Sequence, residues 1–200
     1  MNTQRMELEF EELRETQYMM RRIELSDTVC IADFCGISDK FDYRNPFVVG
    51  GFLYATDARI AIKVPFDDVD TPPGKLLRPD AVKLFDTYDW DGEGKALPAL
   101  RRLGVTPGDQ GEVWVAEIID GAAIREKYVR LIEKLKARLL PRSEKGKCTP
   151  TRFRFEAVSG GQCFGLVMPL APETKGISFT LGDLDREPLI KPEARPAQKP

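Results

Sequence analysis

Chemistry at neutral pH needs groups that hold, move or attract charge, and this chain supplies them unevenly. It has 32 acidic and 30 basic side chains and no histidine. Without imidazole there is no Ser-His-Asp triad, no Cys-His pair and no His-containing metal site. Carboxylates remain, clustered at Asp67, Asp68 and Asp70, at Asp89 and Asp91, and at Asp183 and Asp185. Such clusters hold magnesium in phosphoryl-transfer sites, so an Asp-dependent, metal-assisted hydrolase is one chemistry within reach. Each cluster, however, lies in or beside a turn-like stretch, where Asp is favoured because its carboxylate accepts backbone N–H bonds. Solvated loop carboxylates are the simpler account, and the expectation is no catalytic residue, no metal and no cofactor.

The thiols give a similar answer. Cys30, Cys35, Cys148 and Cys163 are too few, in a chain of 200 residues, for a disulfide framework. Their spacing also lacks the tight pairs of a structural zinc site, so buried, reduced thiols are expected. No phosphate-binding glycine motif is present. Gly92-Glu93-Gly94-Lys95 has no strand before it and no helix after it.

The basic residues are more suggestive. A helix is predicted over residues 122–140, stopped by Pro141, with Ile124, Tyr128, Leu131, Ile132, Leu135 and Leu139 on one face. It carries Arg125, Lys127, Arg130, Lys134, Lys136 and Arg138 against Glu126 and Glu133. Such an excess suits phosphates. The competing reading is that long basic side chains flank the apolar stripe and reach water, with Glu126 and Glu133 opposite that stripe. Arg152 and Arg154 add positive charge on the outer face of a strand over 151–158.

The elements that must position these groups follow from periodicity. An N-terminal helix runs through Leu13, Tyr18, Met20 and Ile23. Thr28–Phe34 reads as a buried strand, and 36–46 as polar and turn-like. Gly50-Gly51 marks a hairpin, followed by strands over 52–55 and 60–64 joined at Thr56-Asp57. A short helix over 81–88 follows Asp80 as N-cap. Residues 89–111 are mostly loop, with helical turns within 97–103. A strand over 112–119 leads to the long helix, and a hairpin turning at Ser159–Gln162 joins strands 151–158 and 163–170. The expected class is α+β, a mainly antiparallel sheet with two to three helices on one face. The expected organisation is one domain over 1–184 with a disordered, Pro-rich tail over 185–200.

Composition sets the class and its surroundings. Hydrophobic residues make up 42% and charged residues 31%, with a net charge of -2, so a packed core forms and the whole surface is not a polyanion-binding one. No apolar run is long enough to cross a bilayer, and the N-terminus is charged and acidic, unlike a signal peptide. A soluble, cytoplasmic protein with no membrane partner is expected.

Two segments resemble the DNA sliding clamps, the family of the bacterial replicase beta subunit and, more remotely, proliferating cell nuclear antigen. Phe52–Ala61 (FLYATDARIA) is similar to the clamp pattern of a strand, then A-T-D-G with basic residues, then a returning strand, with Ala58 where the family usually has Gly. Leu166–Leu170 (LVMPL) is similar to the V-M-P-M ending of a clamp's last strand. Leu77–Tyr88 can stand for a clamp helix, and Ile118–Gly121 for a strand-end I-D-G. Together these cover about a fifth of the chain. Clamp chains hold two or three domains, and this one has room for one, so a ring would need more subunits as a homo-oligomer. The resemblance implies a non-catalytic fold whose helices face duplex DNA and hold its phosphates weakly and without sequence preference. It places Arg59 at the basic position after the A-T-D turn, and Met168 and Pro169 in the strand near the family's partner-peptide groove.

The first expectation is therefore a clamp-like, DNA-associated or replication-accessory protein, of viral or mobile-element type, with Arg59, Arg125, Lys127, Arg130 and Lys134 toward DNA and Met168 and Pro169 toward a protein partner. The second is a protein-binding or inhibitory α+β module with no nucleic-acid role. The third is the Asp-dependent hydrolase.

Overall fold

A computed structural model describes residues 11, 14–37, 42–67, 80–97, 101–107, 113–119, 122–140 and 149–170, with backbone alone over 101–107 and 113–119. The expected tail over 185–200, Cys148, and Asp68, Asp70, Asp183 and Asp185 lie outside the described residues. The fold is α+β, and among the described residues every strand pairing is antiparallel.

The first element among the described residues is helix α1, over residues 14–21. β1 (Glu24–Ser26) and β2 (Val29–Cys30) then form a short ladder. A 3-10 turn, Ile31–Phe34, follows where a strand over 28–34 was expected. The correction has a local cause: the Asp33 carboxylate accepts the Cys30 backbone N–H at 2.8 Å, which folds the chain back on itself. β3 (Gly36–Ile37) and β4 (Asp42–Tyr43) make a second small ladder within the stretch expected to be turn-like.

The main sheet has six strands in the order β11-β12-β13-β7-β6-β5. β5 (Phe47–Val49) and β6 (Phe52–Thr56) are joined by Gly50 and Gly51, both at positive φ, the geometry a two-residue hairpin needs. β7 (Ile60–Pro65) returns beside β6. α2 (Asp80–Asp86) comes next. β8 (Arg101–Pro107), β9 (Val113–Ile119) and β10 (Ala122–Arg125) form a three-stranded sheet. α3 (Glu126–Lys134), β11 (Arg138–Leu139), β12 (Thr151–Glu156) and β13 (Gln162–Val167) are the last elements among the described residues.

Two expectations are corrected here. The helical turns expected within 97–103 give way at residue 101 to β8, which pairs along β9. The helix expected over 122–140 is nine residues long: Ala122–Arg125 pairs with β9 from Ala122↔Ile119 to Arg125↔Ala116, and Lys136, at φ 51, turns the chain out after Leu135. Ladder hydrogen bonds outweigh the local helix preference of Ala-Ala-Ile-Arg.

Side chains alternate across the main sheet, so each face buries its own layer. One face carries Leu53, Ala55, Ile60, Ile62, Val64, Phe153, Phe155, Cys163 and Val167, covered by Met20 of α1, Ile31 and Phe34 of the 3-10 turn, and Tyr128, Val129 and Ile132 of α3. The helices expected on one face are α1 and α3. α2 covers the opposite face, where its Phe85 joins Phe47, Tyr54, Ala61 and Leu166. Rings stack in sequence on that side: Phe47 on Tyr54, Phe85 on Trp90, and Trp90 against Phe164 with centroids 4.9 Å apart.

Candidate nucleic-acid interface

The site is built around the three-residue connection between β6 and β7, Asp57-Ala58-Arg59. Thr56 pairs with Ala61, and the Asp57 N–H donates to the Ile60 carbonyl at 3.2 Å. The Asp57 carboxylate closes the turn, Oδ1 accepting the Arg59 and Ile60 backbone N–H groups at 2.9 and 3.0 Å. The buried Thr56 hydroxyl donates to the Ile60 carbonyl at 2.8 Å and accepts the Ala58 N–H at 3.0 Å. Ala58 sits at φ 69, a left-handed backbone conformation that glycine adopts most readily, here carrying an alanine side chain.

From this turn the contacts run outward to two other elements. Asp57 Oδ2 accepts the Tyr128 hydroxyl of α3 at 2.7 Å and lies 3.5 Å from the Lys127 ammonium. Lys127 also sits 4.5 Å above the Tyr128 ring. On the other side, the Met168 N–H donates to the Arg59 carbonyl at 2.8 Å, and the Leu170 N–H to the Ala123 carbonyl at 2.7 Å. The end of β13 is thereby laced to the turn and to β10. The chain passes close behind the turn at Gly36, where a Cβ would stand 2.7 Å from Asp57 Cβ, so any side chain there would displace the carboxylate.

Burial and the hydrogen bond to Asp57 push the Tyr128 phenol far above its ordinary acidity range, while the positive charges of Arg125 and Arg59 pull it back. That pull places both guanidinium groups within electrostatic reach of the Tyr128 hydroxyl. One cation, Lys127, meets the Asp57 carboxylate directly, and Arg125 and Arg59 act at longer range on the Tyr128 hydroxyl bonded to it.

Arg130 and Lys134 extend this group along α3. With Lys127 they are spaced i, i+3 and i+7, and all three are exposed, so they form the outward row of the helix. This corrects the expected wheel, in which the acidic residues faced outward and the basic ones flanked the apolar stripe: Arg130 lies between Glu126 and Glu133 and bridges both, at 3.1 and 3.0 Å. Three basic and two acidic residues leave α3 a net charge of +1. Lys136 and Arg138 fall beyond it, and the Arg138 Nε donates to the Gly94 carbonyl at 2.7 Å. Arg152 and Arg154 lie on the face covered by α2, half-buried, with Arg152 bonded to the Asp89 carbonyl.

Met168 and Pro169 are half-buried just beyond β13, beside Arg59. The one feature of the site that periodicity concealed is the Tyr128 hydroxyl. Tyr128 falls on the apolar stripe of its helix and is 3% exposed, and nothing local says that its polar end meets a turn 71 residues away.

Among the described residues no three His, Cys, Asp or Glu side chains gather as a metal cradle. Asp89 accepts the Asp91 N–H at 2.8 Å, the backbone role expected of a turn carboxylate. Cys30, Cys35 and Cys163 are free thiols, and burial pushes Cys35 up to about 12 and Cys163 up to about 11, which leaves both as weak nucleophiles at neutral pH. No helix among the described residues is long and apolar enough to cross a membrane. No protein-family model, no curated protein and no solved structure matches this chain.

Proposed function

We propose that this chain is a non-catalytic, clamp-like accessory that associates with duplex DNA in the cytoplasm, weakly and without sequence preference. The observation that carries the reading is the meeting of the two clamp-like segments. Phe52–Ala61 and Leu166–Leu170 are far apart in sequence, yet β7 and β13 are neighbours, pairing Ile60 with Val167 and Ala61 with Leu166. Arg59 precedes Ile60 at that junction, Lys127 meets the adjoining turn through Asp57, Arg125 caps the same helix, and Arg130 and Lys134 continue the row. In this reading they meet phosphates, while Met168 and Pro169, next to Arg59, face a protein partner. Homo-oligomerisation would supply the remaining surface of a ring.

Fluorescence anisotropy with a short duplex, at low and moderate salt, tests it. Binding should weaken steeply with salt, and each lost phosphate contact should lower the log–log slope by about 0.9. Changing Arg59, Lys127, Arg130 and Lys134 together to Gln should remove the binding and leave the fold intact, because all four are exposed. An unaltered affinity in that variant, or no wild-type binding even at low salt, would sink the proposal.

The charge pairing on α3 favours a second reading, a protein-binding module without a nucleic-acid role. Arg130 is held by two glutamates and Lys127 by Asp57, so much of the positive charge is already answered within the molecule. Absence of duplex binding at low salt would leave this reading standing.

A further inference from the structure

We propose that Asp57 acts as a built-in competitor for phosphate, its carboxylate tethering Lys127 and setting how strongly this corner attracts polyanions. The ligand class rests on the DNA-associated reading above. The two carboxylate oxygens have separate tasks. Oδ1 closes the β6–β7 turn through two backbone N–H groups, and an amide oxygen would serve equally well. Oδ2 has no part in the turn. The Tyr128 hydroxyl fixes it in place at 2.7 Å, and Lys127 reaches it at 3.5 Å. The negative charge is thus surplus to the local fold, and it stands beside Lys127, a cation that the site would turn toward phosphates.

The pair is also unequal in access. The Asp57 side chain is 15% exposed and that of Lys127 61% exposed. The anion stays where the turn and Tyr128 hold it, while the ammonium swings on a long stem and can exchange the carboxylate for an external phosphate. Such an exchange gives up only a solvent-screened ion pair, so the tether moderates binding and does not block it.

The test compares wild type with Asp57→Asn, which keeps the turn acceptor and removes the charge. Two probes are used: inorganic tripolyphosphate, followed by isothermal titration calorimetry, and a short duplex followed by anisotropy. The variant should bind tripolyphosphate about threefold more tightly, the span of one screened ion pair. Adding Lys127→Gln should abolish that gain. Equal tripolyphosphate affinity in wild type and Asp57→Asn, or a gain that survives Lys127→Gln, overturns the tether. If tripolyphosphate shows the gain and neither protein binds duplex at low salt, the DNA reading fails and the tether stands. If wild type binds duplex and Asp57→Asn binds neither probe more tightly, the tether fails and the DNA reading stands. Should Asp57→Asn not fold, Asp57→Ser, whose hydroxyl keeps a turn acceptor, carries the same comparison.

Discussion

Asp57 makes four polar contacts from one side chain, and they divide its stability role from its charge role. Asp57→Ala removes both turn hydrogen bonds and leaves the buried Tyr128 hydroxyl without its partner, so it should cost about 2–3 kcal/mol in urea unfolding. Asp57→Asn should cost much less, because the turn bonds survive. A loss in Asp57→Ala no larger than in Asp57→Asn would show that Thr56 alone holds the turn. The next residue gives the opposite sign. Ala58 at φ 69 occupies a region where a Cβ is strained by about 1–2 kcal/mol. Ala58→Gly removes that strain and gives some of it back as unfolded-chain entropy, so it should stabilise by about 0.5–1 kcal/mol. A thermal midpoint that falls in this variant would mean that the alanine methyl packs against something worth more than the strain. The turn role of Asp57 was readable from A-T-D between two strands, because it depends on neighbours in sequence. Its contacts with α3 were not readable, because they depend on how the sheet and the helix dock.

At the scale of elements, α3 ends by a recognisable device. The Lys136 N–H donates to the Glu133 carbonyl at 2.9 Å and the Ala137 N–H to the Ile132 carbonyl at 3.1 Å, with Lys136 in the left-handed region. This is a Schellman stop with lysine where glycine is usual. Lys136→Gly should therefore raise stability by about 0.5–1 kcal/mol, read from the shift of the urea midpoint at unchanged slope. A decrease would mean that the Lys136 side chain contributes more than its backbone costs. The same stop shows where sequence patterning ran out. Ile124, Tyr128, Ile132 and Leu139 fit one helical stripe, so 122–140 read as a single helix. In the fold Ile124 is buried from a strand and Leu139 from another, with nine helical residues between. Likewise β8 carries Arg101-Arg102-Leu103 into a strand through its long ladder with β9. The hairpins at Gly50-Gly51 and Gly160-Gly161 were legible because turn chemistry is local. The three-stranded sheet was not, because pairing between β8, β9 and β10 overrides what each segment prefers alone.

At the scale of the whole molecule, the main sheet is covered on both sides, and the groups whose acidity the fold changes most lie on both. Cys35 packs against the layer under α1 and α3, to which Tyr128 and Cys163 belong. Tyr54 lies on the α2 side, stacked on Phe47 and edge-on to Phe85. Burial is the first cause of every shift, and all four move upward: Cys163 to about 11, Cys35 and Tyr54 to about 12, and Tyr128 further still, with Asp57 adding to it. A raised folded-state value means that the folded protein keeps a proton the unfolded chain would release. The associated stability is complete below the unfolded values, near 9 for the thiols and 10 for the phenols, and is lost as pH rises through the folded ones. The urea midpoint should therefore stay level up to about pH 8.5 and decline above it, first from Cys35 and Cys163 and then from the two tyrosines. Phenolate absorbance gives the sharper measurement, because the chain has only five tyrosines. Tyr54 and Tyr128 should ionise together with the loss of near-ultraviolet circular dichroism, since neither can deprotonate until its face of the sheet opens. If Tyr54 and Tyr128 titrate near pH 10 while the aromatic circular dichroism persists, the Tyr128–Asp57 bond and the packing of Tyr54 against α2 are not what holds the two faces closed.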